Sequence, residues 1–221
     1  MFRALVAAVL ALTLAGGIGQ RMGAARSHAP DSVELPLFPS GRLLQVLSLG
    51  HQNGCADLAW LQAIQYYGRH HQGDRTYPLA RHLFYVTTAL DPGFRNAYIF
   101  GAWVLGEEAG DMAGARRLLT RGMRANPTDW MLAFQRGFLE YMEGDPALGA
   151  LQMERASRIR GAPPYTSRLA AQACARTGQV ALAIRLWEEI ERSGEAAIRS
   201  VARQRLQELR EREMGNPIQR P

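Results

Sequence analysis

The chain of 221 residues contains no lysine, so every one of its 26 basic residues is an arginine. That absence removes chemistry that needs an amine: a Walker-type phosphate loop requires its lysine, and Schiff-base catalysis requires a primary amine. Equally missing are G-x-G-x-x-G, G-x-S-x-G, H-E-x-x-H and C-x-x-C. The chain therefore carries no dinucleotide fingerprint, nucleophile elbow, zinc helix or redox pair of the usual kind. Cysteine is scarce, with two residues, and long alternating runs of Val, Ile and Thr are absent, so nothing argues for a sheet.

What is present is helical. The apolar fraction is 47% with 8% aromatics, and Ala, Leu, Arg, Gln and Glu dominate. These residues cost least in a helix. The net charge of +6 comes from arginines spread along the chain and interleaved with glutamates. That pattern is a solvated surface rather than a nucleic-acid patch, so no nucleic-acid partner is expected.

The first residues, "MFRALVAAVLALTLAGGIGQR", have a cationic start at Arg3, an apolar run over 4–19, then Gln20 and Arg21. Residues 1–21 read as a signal peptide or an N-terminal membrane anchor and are kept out of the fold argument. The run is marginal for a bilayer span, which wants about 17 to 25 residues. Ala15-Gly16-Gly17 offers small residues to a signal peptidase, and no cysteine follows for a lipid anchor. Arg3 lies before the run and Arg21 and Arg26 behind it, so the positive-inside rule casts no clean vote. The expected place of the body is the periplasmic side. Residues 22–40 hold three prolines and no helical period, and read as a linker.

Beyond residue 40 the chain repeats itself. "AGDMAGARRLLTRGMRANP" from 109, "EGDPALGALQMERASRIRG" from 143 and "TGQVALAIRLWEEIERSGE" from 177 align without gaps at a step of 34. The step relates Gly110, Gly144 and Gly178; Ala115, Gly149 and Ala183; Leu119, Met153 and Trp187; and Gly122, Ala156 and Ile190. The glycine suits a left-handed residue ending a first helix. The small residue lets a second helix approach closely, and the large one fills the gap on the same face. A first helix precedes each turn: "NAYIFGAWVL" from 96, "WMLAFQRGFLEYM" from 130 and "YTSRLAAQACAR" from 165. Their small residues are Gly101, Gly137 and Ala171, and the second repeat has two extra residues in "GEEAG".

This pattern resembles the tetratricopeptide repeat (TPR), which has this period, small residues at two fixed positions and a closing proline. Pro92 and Pro127 stand where that proline belongs, after Ala80 and Ala115. "LAWLQAIQYYG" and "YPLARHLFYVTTALDP" form an earlier, looser copy in which Trp60 and Tyr67 match the family's aromatic positions. The lead-in also looks like that of N-terminally anchored bacterial repeat proteins. The implied fold is all-α: a right-handed solenoid of about four helical hairpins over 55–92, 93–127, 128–162 and 163–195. Residues 41–54 give a leading helix capped by Ser40 and a turn, 196–215 a polar-faced capping helix and 216–221 a tail. In the capping helix the apolar residues are Ile198, Val201, Leu206 and Leu209.

The resemblance implies a non-enzymatic scaffold whose first helices line a groove for a peptide or helix of a protein partner. Carrying over the family's groove positions gives Tyr98 and Ala102, Phe134 and Phe138, and Arg168 and Gln172. The lysine-based carboxylate clamp of some members is absent, so a C-terminal carboxylate is not the expected ligand; an apolar or aromatic anchor is. No catalytic residue, cofactor, metal or small-molecule substrate is expected. The alternatives are an accessory or assembly subunit of a membrane complex, and a thiol or metal enzyme around His51 and Cys55. His51 falls in the turn before a helix that Asn53 would cap, which leaves Cys55 structural. Cys55 and Cys174 sit on the first helices of distant repeats, too far apart for a disulfide. His70 and His71, with Asp74, read as a solvated turn. Arg124, Arg158 and Arg192 recur at the 34-residue step near helix C-termini, where a cation is favourable.

Overall fold

The computed structural model describes residues 41–194 and 196–215, and among them every regular element is a helix. In chain order these are α1 (Gly41–Leu47), α2 (Gln52–Gln72), α3 (Ala80–Leu90), α4 (Arg95–Trp103), α5 (Met112–Ala125), α6 (Trp130–Glu143), α7 (Pro146–Ser157), α8 (Pro164–Arg176), α9 (Val180–Ser193) and α10 (Ala196–Gly215). They pack in neighbouring pairs: α2 with α3, α4 with α5, α6 with α7, α8 with α9, while α10 packs on α9 and α1 on α3. The expected membrane segment, linker, Ser40 cap and tail lie outside the described residues.

Local chemistry sets the helix starts. Asp111 accepts the Gly114 N–H at 2.9 Å, Asp129 accepts that of Met131 at 2.9 Å, and Asp145 accepts that of Ala147 at 2.9 Å. Each satisfies donors that have no partner inside the helix, a gain of about 1 kcal/mol per cap. Proline opens α7 and α8, where its missing N–H costs nothing. The expected Asn53 cap is not formed: α2 begins two residues earlier, at Gln52, and His51 takes the cap position without a side-chain bond. That helix also runs on through Gly68 to Gln72 and ends before Gly73. His70 and His71 therefore stand on its last turn rather than in a loop.

Two of the three turn glycines are left-handed, Gly110 at φ +66° and Gly178 at φ +80°. Gly144 is not, at φ −140°. After Gly178 the Gln179 N–H reaches back to the Cys174 carbonyl at 2.9 Å, the bond a left-handed residue makes possible. At Gly144 the corresponding N–H, on Asp145, goes instead to Glu140 Oε1 at 3.1 Å. A side chain has replaced a backbone acceptor, and the left-handed conformation is no longer required.

The two extra residues of the second hairpin do not lengthen a loop. They are wound into a π-helical segment, Val104–Glu108, in which the Ala109 N–H bonds to the Val104 carbonyl at 2.9 Å. Such wide turns absorb insertions without breaking a helix and recur at functional sites.

The 34-residue columns form the contacts within the pairs. Ala115 and Ala183 are fully buried, and Leu119, Met153 and Trp187 are buried one turn on. Gly149 touches the α6 backbone: a Cβ there would overlap the main chain of Tyr141. At Gly137 a Cβ would stand 2.7 Å from the Met153 nitrogen. The buried residues form three clusters that follow one another along the chain: one with Ala59 and Leu90, one with Phe84, Tyr98 and Leu118, and one with Cys174, Trp187 and Leu206. On α10 the buried face is Ala202, Leu206 and Leu209, whereas Val201 is exposed. Arg203–Glu191 at 2.7 Å and Arg210–Glu188 at 2.8 Å tie the helix's polar side to α9.

Candidate functional site

Between α2, α4 and α6 lies a cleft of about 640 Å³. Its walls follow helical spacing. Asn96, Ile99, Phe100 and Trp103 are positions i, i+3, i+4 and i+7 of α4, and Gln135, Phe138, Leu139 and Met142 repeat that spacing on α6. Trp60 comes from α2, Ala102 from α4 and Leu119 from α5, and Glu107 and Glu143 stand at the rim.

Stacked aromatic rings make the floor. Trp60 meets Phe100 edge-on at 5.8 Å, Phe100 lies 5.6 Å from Trp103, and Tyr67 meets both, at 5.2 and 5.6 Å. Edge-to-face pairs of this kind add stability beyond the area they bury. Behind the floor a polar network fixes the rings. The Tyr67 hydroxyl lies 3.1 Å from His71 Nδ1, the Tyr77 hydroxyl donates to Glu108 Oε2 at 3.1 Å, and His71 lies 3.6 Å from the other Glu108 oxygen. Burial raises the Tyr67 and Tyr77 pKa values, and the Glu108 carboxylate pushes them further.

The π segment supplies two glutamates with different surroundings. Glu108 turns into the tyrosine–histidine network. Glu107, one residue earlier, is exposed at the cleft rim and has no ion-pair partner among the described residues. Glu143 is likewise exposed and unpaired among them.

Of the six groove residues expected from the sequence, two line this cleft. They are Ala102, which is buried, and Phe138, 43% exposed. Tyr98 is fully buried and packs so close to Gly122 that a Cβ on that glycine would stand 2.9 Å from its ring. Phe134 is also buried, within the C-terminal part of the core. Both side chains sit in the core of this structure. Arg168 and Gln172 lie on α8, away from the cleft walls. Trp103, as exposed as Phe138, was not among the expected residues. The helix "NAYIFGAW" is apolar on every side, so its periodicity cannot say which face is core.

Elsewhere the suggestive residues assemble nothing. Among the described residues no group of three or more His, Cys, Asp and Glu side chains is placed to hold a metal ion. Cys55 is half-buried and Cys174 buried, and both are free thiols. Arg158 pairs with Glu154 and reaches Glu189 at 3.7 Å, while Arg192 caps the Glu188 carbonyl at 3.3 Å. His70 Nδ1 lies 2.7 Å from Asp74, whose carboxyl is held down to about 2, first by the Thr76 hydroxyl and then by His70. Among the described residues no helix is long and apolar enough to cross a membrane. No protein-family model, curated protein or solved structure matches the chain.

Proposed function

We propose that the protein is a non-enzymatic interaction scaffold, a right-handed solenoid of TPR-like hairpins that holds a peptide or helix of a protein partner. The observation that carries this reading is the aromatic cleft, whose exposed Trp103 and Phe138 stand on successive first helices. Exposed aromatic anchors in a concave apolar site are what a binding surface offers and a core does not. The step of 34, the paired helices and the close-packed small-residue columns support the repeat assignment. Residues 1–21 would attach this body to the inner membrane or export it, with the cleft on the periplasmic side.

A photo-reactive amino acid at position 138 of the full chain, irradiated in cells, tests this reading. A discrete adduct that disappears on Trp103→Ala is expected. Adducts unaffected by that change, or none at 138 and some at the exposed Gln172 instead, would overturn the cleft assignment.

A second reading, an accessory or assembly subunit of a membrane complex, is favoured by a different surface. Leu43, Val46, Leu47 and Leu49 around α1, with Leu58 and Leu61 on α2, are all exposed, Leu49 to 86%. Patches of this kind mark interaction sites. Exchanging residues 1–21 for an unrelated anchor separates the readings. Partner binding that survives the exchange belongs to the body alone, and binding that is lost belongs to an assembly built on the native segment.

A further inference from the structure

We propose that the segment held in the cleft is cationic: an apolar peptide stretch carrying arginine or lysine side chains at its flank. This rests on the scaffold reading above and adds the chemistry of the partner. Its support is a local inversion of charge. The chain is +6 overall, yet the cleft is lined by two carboxylates and no cation.

Several acids elsewhere on the body are engaged. Asp111 pairs with Arg81, Asp129 with Arg95, Glu140 with Arg116 and Arg136, and Glu108 with Tyr77 and His71. Glu107 and Glu143 have no ion-pair partner among the described residues, and they line the same cleft as the exposed Trp103 and Phe138. A guanidinium or ammonium laid over such a ring is attracted by its π face, most strongly by tryptophan. A carboxylate at the ring's edge fixes the other side of the cation. An acidic segment would find the reverse: two like charges and no partner, at the mouth of an apolar cleft.

The net positive charge of the chain does not oppose this at contact range. At about 0.1 M salt, charges more than roughly 10 Å apart are largely screened. Within that range Arg116 donates to the Glu143 main-chain carbonyl at 2.7 Å. Its charge is paired with Glu140 at 3.3 Å, which leaves the Glu107 and Glu143 carboxylates open to a ligand. Recognition is then short-range, and the apolar floor supplies affinity while the rim supplies selection.

The test uses the full chain in non-ionic micelles and three fluorescein-labelled probes. Each probe is the same short Leu/Ala helix, carrying at two flanking positions either arginine, glutamine or glutamate. Anisotropy should give the arginine probe roughly tenfold tighter binding than the glutamine probe, with the glutamate probe weakest. Glu107→Gln with Glu143→Gln should abolish the difference between arginine and glutamine probes. Both substitutions are isosteric and exposed, so the fold is not at risk. If arginine and glutamine probes bind equally, or their difference persists in the double variant, the cationic assignment fails while the cleft stands. If no probe binds and Trp103→Ala changes nothing, the cleft reading itself fails. A cleft filled by a second copy would exclude every probe and give dimers that Trp103→Ala dissolves, which also overturns the proposal.

Discussion

The Asn126 side-chain amide donates to the carbonyl of Pro92 at 2.7 Å, joining residues one repeat length of 34 apart. Arg95 and Asp129 pair across the same interval. The ends of α3 and α5 are thereby joined by a bond that spans one sequence period, alongside apolar packing. Asn126 also donates to the Gly122 carbonyl at 3.2 Å, so one side chain both closes its own helix and reaches the preceding hairpin. Replacing it with alanine removes both bonds, at a cost of about 1 kcal/mol. The melting temperature should fall by roughly 2–4 °C. An unchanged melting curve for Asn126→Ala would show that the period-length bond contributes nothing.

Two glycines separate close packing from mere helix content. Gly149 sits where α7 meets the Tyr141 backbone, so Gly149→Ala forces the two helices apart. Overpacking of this kind costs about 1–3 kcal/mol, and a contact against main chain falls at the upper end. Gly68, four residues before the end of α2, has open space around its would-be Cβ. There alanine should stabilise by about 0.5–1 kcal/mol, through helix propensity alone. Chemical denaturation of the two variants should move the midpoint in opposite directions. A shift in the same direction would contradict the packing described for α6 and α7.

The contrast between these glycines also marks what the sequence makes legible. Ala115, Leu119 and Gly122, with their copies 34 and 68 residues on, announce the buried face because burial there repeats. The caps at Asp111 and Asp145 are local and equally readable. The cleft was not. On α4 both faces are apolar, with Tyr98 buried and Ile99, Phe100 and Trp103 toward the cleft. Family positions carried over without coordinates chose Tyr98 and Phe134, one residue short of Ile99 and Gln135. One residue is about 100° around a helix, enough to exchange core for surface. The split between Glu107 and Glu108 depends on the π turn, and the sequence shows only a longer spacing there.

Acid should unlock the Gly144 turn. The Glu140 carboxyl is held below its ordinary value, first by the Asp145 N–H and then by Arg136 and Arg116, against the opposing effect of burial. A depressed carboxyl contributes stability in full above its unfolded value, about 4.3, and loses it as pH falls through the lower folded value. Glu140→Gln should therefore be less stable than the native chain near neutral pH, by about 2 kcal/mol. The gap should close as pH drops below about 4. Urea midpoints measured for both chains across this range check it. Parallel curves would mean that Glu140 is not the group holding the turn.

The thiols give the sharpest prediction bearing on chemistry. Burial pushes the Cys174 thiol up to about 11, with Glu154 adding to the effect. At pH 8 only about one such thiol in a thousand is ionised, and the thiolate is the reactive form. Iodoacetamide should accordingly label the folded chain at half-buried Cys55 alone, and label Cys174 only once the chain is unfolded in urea. The same shift has a stability consequence of definite sign. The folded chain keeps its proton after an unfolded thiol, near 8.5, has lost it. Stability from this residue is thus intact below that pH and is lost as pH rises from there through about 11. Cys174→Ala should flatten the alkaline limb of the stability curve. Rapid labelling of Cys174 in the folded state would contradict its placement between Ala150 and Trp187 in the core.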